Sequence, residues 1–199
     1  MKKTLLLDVD EVIVFSGFLE AVNDFLGTNY HIDDFTDYYI DEAVIPENRM
    51  NEFKEFLNNR NLYKYAPLLP HSIECIKRLT EYYDIYILSS CVLENNIEGS
   101  ARVFVDKYDF LVKNLPFINP ENFIFTKAKH LFKADVKIDD LISNFCDDED
   151  IKLKILFPSY HNKYITSEEL DKRNIIRVSN DWKTAWLSIE KYLILYATT

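Results

Sequence analysis

Six short apolar runs, separated by stretches of helical periodicity, set what this chain of 199 residues can fold into. They are Leu5-Leu6-Leu7, Ile85-Tyr86-Ile87-Leu88, Phe123-Ile124-Phe125, the pair Val136 and Ile138, Ile155-Leu156-Phe157, and Ile175 to Val178. A strand with one wet face alternates apolar and polar residues. A near-continuous apolar run has no wet face, so it reads as a strand buried on both sides of a parallel sheet. The segments between supply helices for such a sheet. Ile73, Ile76 and Leu79 stand at helical spacing before the second run, and residues 94–113 follow it. The last helix carries Trp182, Ala185, Trp186, Ile189 and Leu193 as a core stripe. The expected class is α/β, with a doubly wound, mainly parallel sheet.

One interval breaks the alternation. Residues 16–66 are too long for a strand-to-helix loop. They carry Phe18, Val22, Phe25 and Leu26 on one helical face, and Phe53, Phe56 and Leu57 on another. The expectation is a small helical cap, 16–66, inserted after the first strand of a core made of 1–15 and 67–199. Pro67 and Pro70 mark the return.

Composition removes several function classes. With only three glycines and neither GxxxxGK[ST] nor GxGxxG, a phosphate held by a glycine-rich loop is not expected. A net charge of −10 disfavours long nucleic acids and anionic membranes. No apolar run approaches the roughly 18–20 residues of a membrane span, and no signal peptide is visible after Met1-Lys2-Lys3-Thr4. Cys75, Cys91 and Cys146 have no metal-like spacing and read as free thiols. The Asp147-Asp148-Glu149-Asp150 run reads as a solvated loop. A soluble, cytoplasmic protein is expected, and a homodimer is kept among the expected partners.

Chemistry gathers at the strand ends. Asp8 and Asp10 follow the first run, Ser89 and Ser90 the second, and Asp139 and Asp140 the fourth; Lys129 lies between the third and the fourth. Ligands of open parallel sheets bind outside the carboxyl ends of the strands, so these distant residues should meet. A D-x-D alone is more often a turn, a serine alone a cap, a lysine alone surface. Together, and in this order, they fit phosphoryl transfer. One carboxylate attacks phosphorus, and a second moves the proton of the leaving oxygen. Magnesium takes the hard oxygen ligands, while hydroxyl and ammonium groups hold the phosphate.

These motifs resemble the four signatures of the haloacid dehalogenase phosphatases. Leu5-Leu6-Leu7-Asp8-Val9-Asp10-Glu11-Val12 is similar to the first, Ile87-Leu88-Ser89-Ser90 to the second, Lys129 to the third and Ile138-Asp139-Asp140 to the fourth. Within that superfamily the chain most resembles the 5′(3′)-deoxyribonucleotidases. The segments that carry this are Tyr65-Ala66-Pro67 to Pro70, Thr126-Lys127-Ala128-Lys129, Leu156 to Asn162, Arg177-Val178 and Trp182. The resemblance covers most of the chain outside the cap and implies a Rossmann-like core. It implies Asp8 as nucleophile and metal ligand, and Asp10 as general acid/base that binds metal through its carbonyl. It also implies Ser89, Ser90 and Lys129 as phosphate ligands, and Asp140 as a metal ligand supported by Asp139. Glu11, Cys91 and Leu141 depart from the usual glycine, proline and arginine. The expected function is Mg²⁺-dependent hydrolysis of a deoxyribonucleoside monophosphate through an aspartyl-phosphate. The alternatives are the same chemistry on a sugar phosphate, or a non-catalytic phosphate-binding protein of this fold. In the cap, Tyr39, Tyr63 and Tyr65 lack a helical stripe and are the candidates to line the substrate pocket.

Overall fold

All six apolar runs become strands of one sheet. The structure, a computed structural model, describes residues 2–145 and 151–198; Cys146 and the acidic run 147–150 lie outside the described residues. The strands are β1 (Lys3–Leu7), β2 (Tyr83–Ser89), β3 (Phe123–Phe125), β4 (Val136–Asp139), β5 (Leu153–Leu156) and β6 (Ile175–Ile176). Their order is β3-β2-β1-β4-β5-β6, and every neighbouring pair is parallel. The chain reverses its direction of winding at β1, between β2 and β4. That is the topological switch point where a crevice opens at the carboxyl edge. Leu5, Leu7, Ile87, Val136, Ile138 and Ile155 are almost wholly buried, as expected for strands covered on both faces.

The covering helices are α1 (Phe18–Leu26), α2 (Ile40–Val44), α3 (Met50–Asn58), α4 (Ser72–Leu79), α5 (Ile97–Asn114), α6 (Ser167–Asp171) and α7 (Ala185–Thr198). α5 starts three residues later than the periodicity predicts. Asn95 takes a left-handed backbone (φ 56°), and the Asn96 side chain then caps the helix by accepting from Gly99 N at 2.9 Å. α7 seals the core through Trp186, whose Nε1 donates to the Val12 carbonyl at 2.7 Å. A buried indole N–H left without that partner would lose stability.

Residues 16–66 form α1, α2, α3 and short 3-10 turns. Phe53 is fully buried here, 5.8 Å from Phe18 and 5.2 Å from Phe25 between ring centres. Burying such a side chain contributes roughly 1.5–3 kcal/mol. The two ends of the segment run side by side, with Phe15 N donating to Pro67 O (3.1 Å) and Gly17 N to Leu62 O (2.6 Å). At this crossing a Cβ on Gly17 would lie 2.9 Å from the Leu62 carbonyl oxygen, which is why glycine stands there.

Candidate active site

A tight turn follows β1 at once. The Val9 carbonyl accepts from the backbone N–H groups of Val12, Ile13 and Val14, at 3.3, 2.8 and 3.2 Å. Glu11 takes φ 58°, a left-handed conformation that favours glycine. Glu11 is anchored in it by its carboxylate, which accepts from Ser159 Oγ at 2.6 Å and lies 3.3 Å from His161 Nε2. The turn puts Asp8 and Asp10 on the same crevice.

Asp8 is almost completely buried. One carboxylate oxygen accepts from Val9 N (2.7 Å), and the other lies 2.5 Å from Lys129 Nζ. Lys129 also reaches Asp139 at 3.3 Å. Asp139 is fixed by Leu141 N (3.1 Å) and Asn144 Nδ2 (2.8 Å). Asp140 accepts at 2.8 Å from the His161 ring, while Asn162 Nδ2 holds its backbone carbonyl at 2.8 Å. The carboxylate oxygens of Asp8, Asp139 and Asp140 all lie within 4.8 Å of one another.

Burial pushes the Asp8 carboxyl up to about 6; Lys129 pulls it down, and Asp139 and Asp10 push it up further. Asp139 and Asp140 are raised as well, in both cases chiefly by burial. Burial lowers the Lys129 ammonium, but Asp8, Asp139 and Asp140 outweigh that and leave it raised. Burial also lowers His161, and its bonds to Asp140 and Glu11 reverse this to about 9. Carboxylates thus outnumber the buried ammonium at this point, and every oxygen among them is a hard donor. A divalent cation fits such a donor set, with Asp8, Asp139 and Asp140 as the carboxylates in reach.

Asp10 faces the other way, toward two donors that the sequence did not disclose. Tyr63 Oη donates to one carboxylate oxygen at 2.5 Å, and Lys107 Nζ to the other at 2.6 Å. Lys107 comes from the inner face of α5 and is 1% exposed. The same ammonium donates to Ser89 Oγ at 2.9 Å and to the Ser90 carbonyl. Lys107 therefore ties the Asp10 turn to the end of β2. A signal for it exists in the sequence: Val103, Lys107, Phe110 and Leu111 share one buried helical face, and a lysine on such a face needs a partner.

A cavity of about 840 Å³ opens over this edge. Asp8, Asp10, Ser90, Lys107, Lys129 and Tyr39 are among its lining residues. Ser89 is fully buried and outside the lining, because its hydroxyl is taken inward by Lys107. The three candidate tyrosines separate. Tyr39 is half exposed at the cavity. Tyr63 lines it but is buried, with its hydroxyl committed to Asp10. Tyr65 is 80% exposed and outside the lining, since it sits on an outward turn after α3. His161 and Tyr38, which sequence reasoning gave no role, meet at the Asp140 side with ring centres 5.1 Å apart.

Known proteins resemble this chain in sequence and in fold. Residues 2–183 match the model of the family described as 5′ nucleotidase, deoxy (pyrimidine), cytosolic type C protein. A Staphylococcus aureus (strain Mu50) relative is 26% identical, with 97% of this chain and 96% of that protein covered. The 5′(3′)-deoxyribonucleotidase of Bacillus subtilis is also 26% identical, with 98% and 100% covered. Among solved structures, a haloacid dehalogenase-like hydrolase from Streptococcus pneumoniae superposes with a TM-score of 0.51 at 14% identity, covering 96% of this chain and 98% of its own. That likeness shows the fold.

Proposed function

We propose, for a chain that belongs to the family of 5′ nucleotidase, deoxy (pyrimidine), cytosolic type C proteins, hydrolysis of deoxyribonucleoside monophosphates through an Asp8-phosphate. Membership makes the chain a phosphomonoester hydrolase of nucleotidase type. The finer reading is supported above all by one observation. The Asp8 carboxylate stands at the switch point of the sheet beside Lys129, at the floor of the large cavity.

In this mechanism an Asp8 oxygen forms a bond to phosphorus as the ester P–O bond breaks. Asp10 delivers a proton to the departing oxygen. Water then attacks the phosphorus of the aspartyl-phosphate, Asp10 takes its proton, and phosphate leaves with Asp8 restored. Lys129 keeps Asp8 ionised and meets charge on the transferring group. Ser90 contributes a phosphate contact from the cavity wall, and Ser89 supports it through Lys107. Asp8, Asp140 and the Asp10 carbonyl would hold the metal, with Asp139 supporting. Mg²⁺ is the cation suited to these oxygens, and its chemistry there is to offset charge on the phosphoryl oxygens.

Residues 16–66 act as the cap over the cavity, and Tyr39 is the ring placed to stack on a base. Stacking contributes roughly 1–3 kcal/mol per base. The test compares kcat/KM for thymidine, deoxyuridine and deoxyguanosine monophosphates with glucose 6-phosphate and glycerol phosphate. A nucleotide preference of at least ~10-fold is expected, about 1.4 kcal/mol. Tyr39→Ala should lower nucleotide turnover and leave p-nitrophenyl phosphate nearly untouched. Equal or better hydrolysis of the sugar phosphates would move the assignment to that substrate class.

Chelation should abolish turnover, and Mg²⁺ should restore it. The same carboxylates predict how the protein responds to pH in chelator. Asp8 titrates near 6 in the folded state against 3.8 as a free group. Between those values the folded form holds a proton that the unfolded form has released, so stability falls as pH rises through that window. His161, raised to about 9 from 6.5, acts in the same direction at higher pH. The unfolding midpoint in chelator should therefore be lower near pH 8 than near pH 5, and Mg²⁺ should recover most of the difference at pH 8. A midpoint that rises with pH would mean that Asp8 and His161 do not keep their protons above their free values in the folded protein.

Lys107 is a positioning residue in this scheme, because it acts through Asp10. Lys107→Met should lower turnover of an alkyl phosphate by ~10-fold or more, within the range of proton-transfer catalysis. Hydrolysis of p-nitrophenyl phosphate, whose leaving group needs no proton, should fall by less than about threefold. Equal losses on both substrates would reduce Lys107 to a structural support.

A further inference from the structure

Of the three carboxylates gathered at the edge of the sheet, Asp140 alone keeps an oxygen without a partner among the described residues. Asp8 has one oxygen on Val9 N and the other on Lys129. Asp139 has one on Leu141 N and Asn144 Nδ2, and the other on Lys129. Asp140 Oδ2 is taken by His161 Nε2 at 2.8 Å, and among the described residues nothing bonds to Oδ1. Nε2 also lies 3.3 Å from Glu11 Oε2. Both neighbours of this nitrogen are carboxylate oxygens, which accept when ionised, so Nε2 carries a hydrogen and donates.

The ring is built in rather than free to swing. His161 is on the loop that follows β5, the strand beside β4, and so reaches Asp140 from 21 positions away. Its side chain is 4% exposed. The rings of Tyr38 and Tyr160 stand nearly perpendicular to it, each with its centre 5.1 Å away. The next residue, Asn162, donates to the carbonyls of Asp140 and Phe157, both at 2.8 Å. One loop thus grips Asp140 by backbone and side chain. Glu11 steadies the ring from the other side, and it does so from φ 58°, a backbone conformation that is strained for a residue with a side chain. Strain kept at such a point directs attention to what the side chain holds.

What this grip controls is the number of oxygens that Asp140 can offer. Mg²⁺ demands near-octahedral geometry and keeps several waters, so one oxygen from a carboxylate suits it. Ca²⁺ is larger, collects about 6–8 oxygens, and readily takes both oxygens of one carboxylate. With Oδ2 on His161, only Oδ1 is left for a cation. We propose that His161 is a specificity-determining residue for the metal: by holding Asp140 Oδ2 it denies a cation both oxygens of Asp140 and biases the site toward Mg²⁺ and against Ca²⁺. The inference rests on the reading of Asp140 as a metal ligand. A histidine that only stiffened the loop would, when lost, weaken both cations alike. The ratio of the two affinities therefore isolates its part in selection.

Calorimetric titration of the full chain, first freed of metal, with Mg²⁺ and with Ca²⁺ in separate runs tests the proposal. Asp140→Asn should weaken both cations and so identify the site. His161→Leu should lower the ratio of the Ca²⁺ Kd to the Mg²⁺ Kd by ~10-fold or more, the scale on which a residue behind a metal ligand acts. His161→Gln sets an amide N–H near the place of Nε2 and should keep the ratio within about threefold of wild type, inside the loss expected when such a partner is removed. His161→Asn is one methylene shorter, does not reach Oδ2, and should shift the ratio as His161→Leu does. This polar pair carries the test if His161→Leu does not fold; melting curves establish folding. An unchanged ratio in His161→Leu and His161→Asn, or a ratio that His161→Gln shifts just as far, would overturn the proposal and leave Asp140 as a ligand. Binding of both cations that is indifferent to Asp140→Asn would remove the proposal together with the metal reading beneath it.

Discussion

Asp8→Asn is expected to lower turnover of p-nitrophenyl phosphate by at least ~1,000-fold, on the scale of losing a covalent nucleophile. An amide is neutral and cannot attack phosphorus, and no neighbouring carboxylate replaces it. Asp139 is held by Leu141, Asn144 and Lys129, Asp140 by His161, and Asp10 by Tyr63 and Lys107. The same variant should not lose stability. Asp8 is buried with a raised pKa even beside Lys129, so its charge is unfavourable in the folded state without a metal ion. Removing that charge in chelator near pH 7 should leave the unfolding midpoint unchanged or higher. Lost turnover with an intact or raised midpoint separates chemistry from folding. Activity within about tenfold of wild type would exclude Asp8 as nucleophile.

What the sequence disclosed is what strand geometry makes local. A buried parallel strand reads as an apolar run, and the residue after it stands at the carboxyl edge. Asp8, Ser89 and Asp139 therefore fall where they do because Leu7, Leu88 and Ile138 are the last apolar residues before them. Contacts that close across the chain left no such mark. Lys107 meets Asp10 across 97 positions and Tyr63 meets it across 53. A lysine inside a helix and a tyrosine in a turn are ordinary residues until the turn after β1 aims Asp10 at them. Tyr39, Tyr63 and Tyr65 were indistinguishable as candidates, because no periodicity fixes a turn residue. Packing alone makes one a cavity wall, one a buried donor and one a surface ring. Lys137 is the sharpest case. Flanked by Val136 and Ile138 it reads as the polar step of a strand, yet it is 1% exposed. Its ammonium donates to the Lys129 carbonyl at 2.7 Å and to the Asn144 carbonyl at 2.6 Å. It thus secures the turns that present Lys129 and Asp139.

Lys129→Met should act on rate and stability together, and the two effects are separable. Lys129 Nζ lies 2.5 Å from Asp8 and 3.3 Å from Asp139, with all three groups buried. Methionine fills a similar volume but leaves those carboxylates facing each other without their ammonium. Breaking a buried ion pair from one side costs about 3–5 kcal/mol, so the unfolding midpoint in chelator should drop steeply near pH 7. It should drop less near pH 4, where Asp8, with its pKa near 6, is protonated and no longer needs a counter-charge. Saturating Mg²⁺ should return part of the loss at neutral pH by supplying positive charge to the same oxygens. The rate effect should persist under those conditions. With excess Mg²⁺ and well below the melting temperature, kcat should still be at least ~100-fold down, the scale of removing one donor to developing charge. Lys129→Arg should recover more of the stability than of the rate, because a guanidinium restores charge without placing one nitrogen between Asp8 and Asp139. Two results would go against this account. A kcat within about twofold of wild type would remove Lys129 from the reaction and turn attention to Lys127, which also lines the cavity. A midpoint that falls equally at both pH values would mean that Lys129 supports packing rather than charge.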